Sequence, residues 1–160
     1  MELVKKICSH PLWKESLKQI QELEKERIFC HHDPEHFLNV ARLAYIENLE
    51  KSMGIPKETI YAAAMLHDIG RHLQYLEKTP HEEASAVIAE KILKDCEIGD
   101  TDREEILFAI RMHRFSKMKT EESLAGIIYR ADKKSRMCLF CPACALCDWS
   151  TEKKNMVITV

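Results

Sequence analysis

Eight histidines fall within 160 residues, and several sit where a core residue belongs. His36 precedes Val40 and Leu43 by four and seven residues, so it shares the apolar face of one helix. His67 follows Ala63 and Ala64, His113 follows Ala109 and Ile110, and Asp132 follows Ile128 by four positions. An imidazole or carboxylate on an apolar face costs free energy unless a partner satisfies it. A cation shared among several of them would do so at once. His67 and Asp68 are adjacent, and consecutive helical residues project about 100° apart. That spread lets both reach one metal, or lets the aspartate bridge two. Imidazole with carboxylate suits Fe, Mn, Co, Ni or Zn better than Ca.

The elements that must hold these side chains read as helices. Gly and Pro are scarce, at four and five, while Leu, Glu, Lys and Ala abound. Apolar spacing predicts a helix over Leu12 to Ile28. Asp33-Pro34 reads as an N-cap with proline at the first helical position, opening a helix to about Leu49. Gly54 closes that unit and Pro56 opens a helix from about Lys57 to Asp68, with Gly70 as its C-cap. Thr79-Pro80 repeats the capping pattern ahead of Ala84, Val87, Ile88 and Leu93. Asp100 or Thr101 caps the helix of Ile106, Ala109 and Ile110, and a last helix contains Leu124, Ile127, Ile128 and Ala131. The tail from Met156 to Val160 reads as a strand or as irregular chain. The expectation is all-α: a compact single-domain helical bundle of about six or seven helices over residues 1–160, with a Cys-rich segment at 138–149.

The bulk numbers exclude some classes. The formal net charge of −2 gives no global pull toward nucleic-acid polymers or anionic membranes. No apolar run approaches a membrane span, and the N-terminus lacks a signal-peptide core, so the default location is cytoplasmic. Seven cysteines in a reducing compartment read as thiols or metal ligands. Cys138, Cys141, Cys144 and Cys147 form a C-x2-C-x2-C-x2-C run that could bind Zn or an Fe–S cluster only if Pro142 breaks a helix. The alternative reading is a Cys-rich surface turn, open to incidental oxidation. Cys8, Cys30 and Cys96 read as buried small apolar residues.

Three stretches carry a family resemblance: His36-Phe-Leu-Asn-Val40-Ala41, Ala64-Met-Leu-His67-Asp68-Ile-Gly70-Arg71, and Arg130-Ala131-Asp132. In this order they resemble the HD-domain phosphohydrolase superfamily over about Asp33 to Arg136, and within it most closely the small bacterial dinuclear enzymes that hydrolyse diadenosine tetraphosphate. The cyclic-di-GMP phosphodiesterase branch is disfavoured, because Arg114-Phe115-Ser116 follows His113 where that branch has Gly-Tyr-Pro. The resemblance implies that His36, His67, Asp68 and Asp132 hold a first divalent metal. It implies further that His81 and His113 hold a second, with Asp68 bridging. It also implies a phosphomonoesterase or phosphodiesterase acting on a nucleotide or small phosphorylated metabolite through metal-activated water, with Asp68, His67 and Arg71 at the reacting centre. Phosphoryl transfer depends on positioning and charge stabilisation. The candidates for that work are Arg71, Lys133, Lys134 and Arg136, with His72 beside Arg71. His31 and His32 read as solvent-facing or supporting residues, and His10 as surface. Two other readings stay open: a catalytically weak metal-bound module that senses a nucleotide or binds a partner, and a redox or iron sensor built on the four cysteines.

Overall fold

The computed structural model describes residues 1–158, and all their regular secondary structure is helical. Eight α-helices follow in order: α1 (Glu2–Ser9), α2 (Pro11–Leu23), α3 (Pro34–Glu50), α4 (Lys57–Leu66), α5 (Arg71–Glu77), α6 (His81–Asp95), α7 (Asp100–Met112) and α8 (Leu124–Lys134). Short 3₁₀ turns occupy Ser116–Thr120, Cys138–Phe140 and Cys144–Leu146. The expected all-α bundle is observed; the short helices α1 and α5 are not delimited by the sequence pattern. Of the C-terminal tail, 156–158 form no strand, and 159–160 lie outside the described residues.

Helix α4 is the axis of the molecule. Every residue from Thr59 to Leu66 is buried, as expected for a helix that is apolar all round. It packs against α1, α3, α6, α7 and α8. Its last carbonyls are satisfied by side chains, as a buried helix end requires: Trp13 Nε1 donates to Met65 O at 2.9 Å, and His67 Nδ1 donates to Ala64 O at 2.7 Å.

Capping was legible in part. Asp33 accepts from the His36 amide at 2.8 Å, with Pro34 next, so α3 starts as expected. Thr79 makes no cap; Pro80 occupies that position after Lys78 turns left-handed at φ 63°. Gly99 rather than Asp100 or Thr101 precedes α7. Helix α2 ends at Leu23, five residues early, and Ile28 is exposed. Val87, expected inside, faces outward. Gly70 is not a left-handed C-cap, since its φ is −87°. It is needed for close approach: a Cβ there would collide with the backbone of Ala84 and Ser85 in α6, and its amide donates to Ser85 Oγ at 2.9 Å.

Candidate metal centre

Five helix ends converge at one end of the bundle. Helix α3 delivers His36 in its first turn and α6 begins with His81, while His67 and Asp68 follow α4, His113 follows α7, and Asp132 lies near the end of α8. All six are buried. Their donor atoms form two sets, each within 4.8 Å: His36, His67, Asp68 and Asp132, and then Asp68, His81 and His113. Asp68 is common to both. Its Oδ2 lies 3.6 Å from His36 Nε2 and 3.3 Å from His67 Nε2. Its Oδ1 lies 3.1 Å from His81 Nε2 and 3.5 Å from His113 Nε2. Asp132 Oδ1 completes the first set, 3.5 Å from His36 Nε2 and 3.8 Å from His67 Nε2.

The outer nitrogen of each ring is tied down. His67 Nδ1 donates to Ala64 O, and His113 Nδ1 to Ile110 O at 2.6 Å. His36 Nδ1 donates to Ser135 Oγ at 3.1 Å, and that hydroxyl donates to Asp132 O at 2.7 Å. His81 Nδ1 meets Gln74 Oε1 at 2.5 Å. With Nδ1 so engaged, Nε2 is the nitrogen that faces inward, and its lone pair is what a metal would take up, directly in a neutral ring and after loss of the Nε2 proton in a charged one. His67 Nε2 and Asp68 Oδ1 are fully buried and make no hydrogen bond. Buried polar atoms normally have partners, so orphaned atoms at the meeting point of both sets fit a divalent cation there. The donor chemistry, imidazole and carboxylate, suits Fe, Mn, Co, Ni or Zn.

The electrostatics are those of a site built for cations. Burial disfavours the charged forms of Asp68 and Asp132, yet His67 and the other cationic or hydrogen-bonding neighbours hold both carboxyls well below the usual range. Burial also opposes charge on His67, but Asp68 and Asp132 overcome it and raise His67 to about 10. His36, where burial prevails, falls to about 4.

The centre opens into a cavity of about 1070 Å³. Arg71, Lys133 and Arg136 line it. Arg71 Nη1 lies 3.3 Å from His81 Nε2, Lys133 Nζ 2.7 Å from Asp132 Oδ2, and Arg136 Nη2 3.5 Å from Asp132 Oδ1. Lys134 and His72 do not line it. One position along from Arg71, His72 turns about 100° away; it is buried, donating to Ile69 O at 3.2 Å with Glu15 and Glu77 nearby.

Pro142 does interrupt the chain between two 3₁₀ turns, but among the described residues no metal-sharing donor set contains a cysteine. Cys138, Cys141, Cys144 and Cys147 instead form part of the cavity wall, together with Cys30. Cys8 and Cys30 are only half-buried; Cys96 is buried as expected. The wall is pinned by Asn155, whose Nδ2 donates to Lys133 O, Lys134 O and Arg136 O at 2.7, 3.3 and 2.9 Å. Far from the centre, His10 caps α2; its ring accepts from the Leu12 amide and lies 3.2 Å from Asp95. The sequence reading undervalued His32, which is buried in the wall of the centre. The only signal for it was a second histidine four residues before His36.

A helical bundle that gathers buried histidines and aspartates from five helix ends brings together donor atoms that could hold a metal ion. The HD domain family model matches residues 35–137, and the chain belongs to the HD domain family. The superfamily to which this family belongs is that of metal-dependent phosphohydrolases. The chain is also similar to an uncharacterized protein of Clostridium beijerinckii (strain ATCC 51743 / NCIMB 8052), 46% identical over 142 residues, covering 89% of this chain and 88% of that relative. No solved structure matches it significantly. Among the described residues no helix is long and apolar enough to cross a membrane.

Proposed function

We propose that this chain is a dinuclear phosphohydrolase of the cytoplasm that cleaves a phosphoester or phosphoanhydride bond of a nucleotide, with dinucleoside polyphosphates as the leading candidates. The observation that carries this reading is the position of Asp68, whose two carboxylate oxygens each face a separate donor set. His36, His67, Asp68 and Asp132 would hold one ion, and Asp68, His81 and His113 the other. When bound, such a pair supplies an activated water and neutralises charge on a phosphoryl oxygen.

The chain's own residues do the rest. Arg71, Lys133 and Arg136 converge on the open side and bind phosphoryl oxygens, Arg71 and Arg136 in the bidentate manner open to guanidinium. Arg114, Lys153 and Lys154 extend the positive lining outward, where further phosphates of a polyphosphate chain would run. Phe29, Tyr129 and Trp149 in the same wall offer apolar faces to a base. The cavity slightly exceeds the usual range for small-molecule sites, which suits a ligand larger than a phosphate monoester.

The test is product analysis on mononucleotides, cyclic nucleotides, dinucleoside polyphosphates and guanosine tetraphosphate with Mn or anaerobic Fe. Turnover of one class, lost in Asp68→Ala, is the expected result. A folded, metal-loaded protein that turns over none of them would refute the enzyme and favour a sensing module.

A further inference from the structure

Arg71 opens α5 and Tyr75 follows it by four residues, so the two side chains share one face of that helix. Helix α5 packs against α2, where Glu24, the residue that ends α2, turns inward to 1% exposure. The Tyr75 hydroxyl lies 2.5 Å from Glu24 Oε1 and 3.3 Å from Arg71 Nε. Chemistry fixes the direction of both bonds, because a guanidinium has no acceptor and an ionised carboxylate no donor. The single phenolic proton therefore goes to Glu24, and the phenolic oxygen accepts from Arg71 Nε. Burial opposes charge on Glu24, but the bonds from His32 and Tyr75 outweigh it and hold the carboxyl at about 2. The carboxylate is anchored to the backbone as well, through the His32 amide at 2.7 Å. At the other end of the guanidinium, Arg71 Nη1 rests against the His81 ring, 3.0 Å from Nδ1. Arg71 lines the cavity, whereas Glu24 and Tyr75 stand behind it.

We propose that Tyr75 and Glu24 are the positioning residues of Arg71: the buried carboxylate holds the phenol, and the phenol holds the Nε edge of the guanidinium, so that the terminal nitrogens are presented to a phosphoryl group. The assignment rests on the reading of Arg71 as a phosphate contact made above. An unrestrained arginine loses its rotamer freedom at the moment it binds, whereas one already held by its own neighbours does not. The phenol also decides which edge of the fork is offered. With Nε engaged, a phosphoryl group is met end-on by Nη1 and Nη2. Among the described residues neither Tyr75 nor Glu24 belongs to a metal donor set, so the device acts on the phosphate side of the site and leaves the ions to the histidines and aspartates.

Two readouts on the full chain test this without turnover. The first is the nuclear magnetic resonance signal of the Arg71 Nε–H group, identified by its absence from Arg71→Lys, and its rate of exchange with water. Tyr75→Phe removes one oxygen and keeps the ring; it should speed that exchange by about tenfold or more. The second is the affinity for pyrophosphate, by calorimetry on the Co(II)-loaded protein. Tyr75→Phe should weaken it about tenfold, the scale of one hydrogen bond to a charged group, at unchanged Co(II) stoichiometry. In the Arg71→Ala background that loss should vanish, because a residue acting through Arg71 has nothing left to position. Glu24→Gln should move both readouts in the same direction. Wild-type exchange and affinity in Tyr75→Phe would overturn the proposal, and so would a loss that simply adds to that of Arg71→Ala. Equal pyrophosphate affinity in wild type and Arg71→Ala would overturn the phosphate reading of Arg71 itself, and the exchange rate would still show whether Tyr75 holds the side chain. Should circular dichroism show Tyr75→Phe unfolded, Glu24→Gln carries the same cycle with Arg71→Ala, and wild-type values there overturn the proposal.

Discussion

Raising the pH from 6 to 9 should tighten metal binding by about one power of ten per unit. In the metal-free fold His67 lies between the Asp68 and Asp132 carboxylates, which against the effect of burial raise it to about 10. It therefore carries a proton on the nitrogen that a metal requires, and binding must expel it. At pH 7.5 that displacement costs roughly 3 kcal/mol, so affinity stands about 300-fold below its high-pH limit. Burial lowers His36 to about 4 and lowers His32 and His81 too, so these three add little to the slope in this window. The same proton has a stability consequence of defined sign. A histidine raised by its partners stabilises the metal-free fold fully below about pH 6.5, and that gain is lost as pH rises through 10. Chelator-competition titrations of Mn(II) at half-unit pH steps would give the slope. Calorimetry in buffers of different ionisation enthalpy would count about one proton released per ion bound by His67. An affinity that is flat between pH 7 and 9 would refute the reasoning, because it would mean the carboxylates do not hold a proton on His67.

Three further outcomes follow from the same geometry. Asp68→Ala should lose both ions and all turnover while its far-ultraviolet circular dichroism stays helical; retention of either ion would contradict the bridging position. Gly70→Ala forces α6 away by about 1 Å to restore an ordinary carbon contact, costing about 1–3 kcal/mol of stability and separating His81 from Asp68; metal analysis should find one ion instead of two. Replacing Cys138, Cys141, Cys144 and Cys147 together by serine should leave the metal content unchanged, since among the described residues no donor set includes them; loss of bound metal or of a visible chromophore would revive the sensor reading.

Much of the site was legible in the sequence because helix periodicity alone put His36, His67, His113 and Asp132 on apolar faces, where only a shared partner can satisfy them. The order of motifs then implied a family, and the match to residues 35–137 shows it. Capping chemistry placed the start of α3 correctly, since Asp-Pro acts within one turn. Where the pattern failed, the deciding contacts were distant along the chain. Helix α2 stops at Leu23 although apolar spacing continues, and the next residue, Glu24, turns inward to meet His32 and Tyr75, the latter 51 positions away. Gly70 read as a cap because a cap is a local event, whereas its actual constraint is the backbone of α6.

What the sequence by itself determined is the helical class, the residue types of the centre and which helix end carries each of them. These follow from propensities and periods that act over one or two turns. Only the tertiary structure decided how those ends meet: that Asp68 turns one oxygen to each donor set, that Arg71, Lys133 and Arg136 reach the cavity while His72 and Lys134 do not, and that the cysteines lie along the same cavity. The physical reason is that bridging, burial and cavity lining depend on which faces of separate helices pack together, and no spacing within a single helix encodes that.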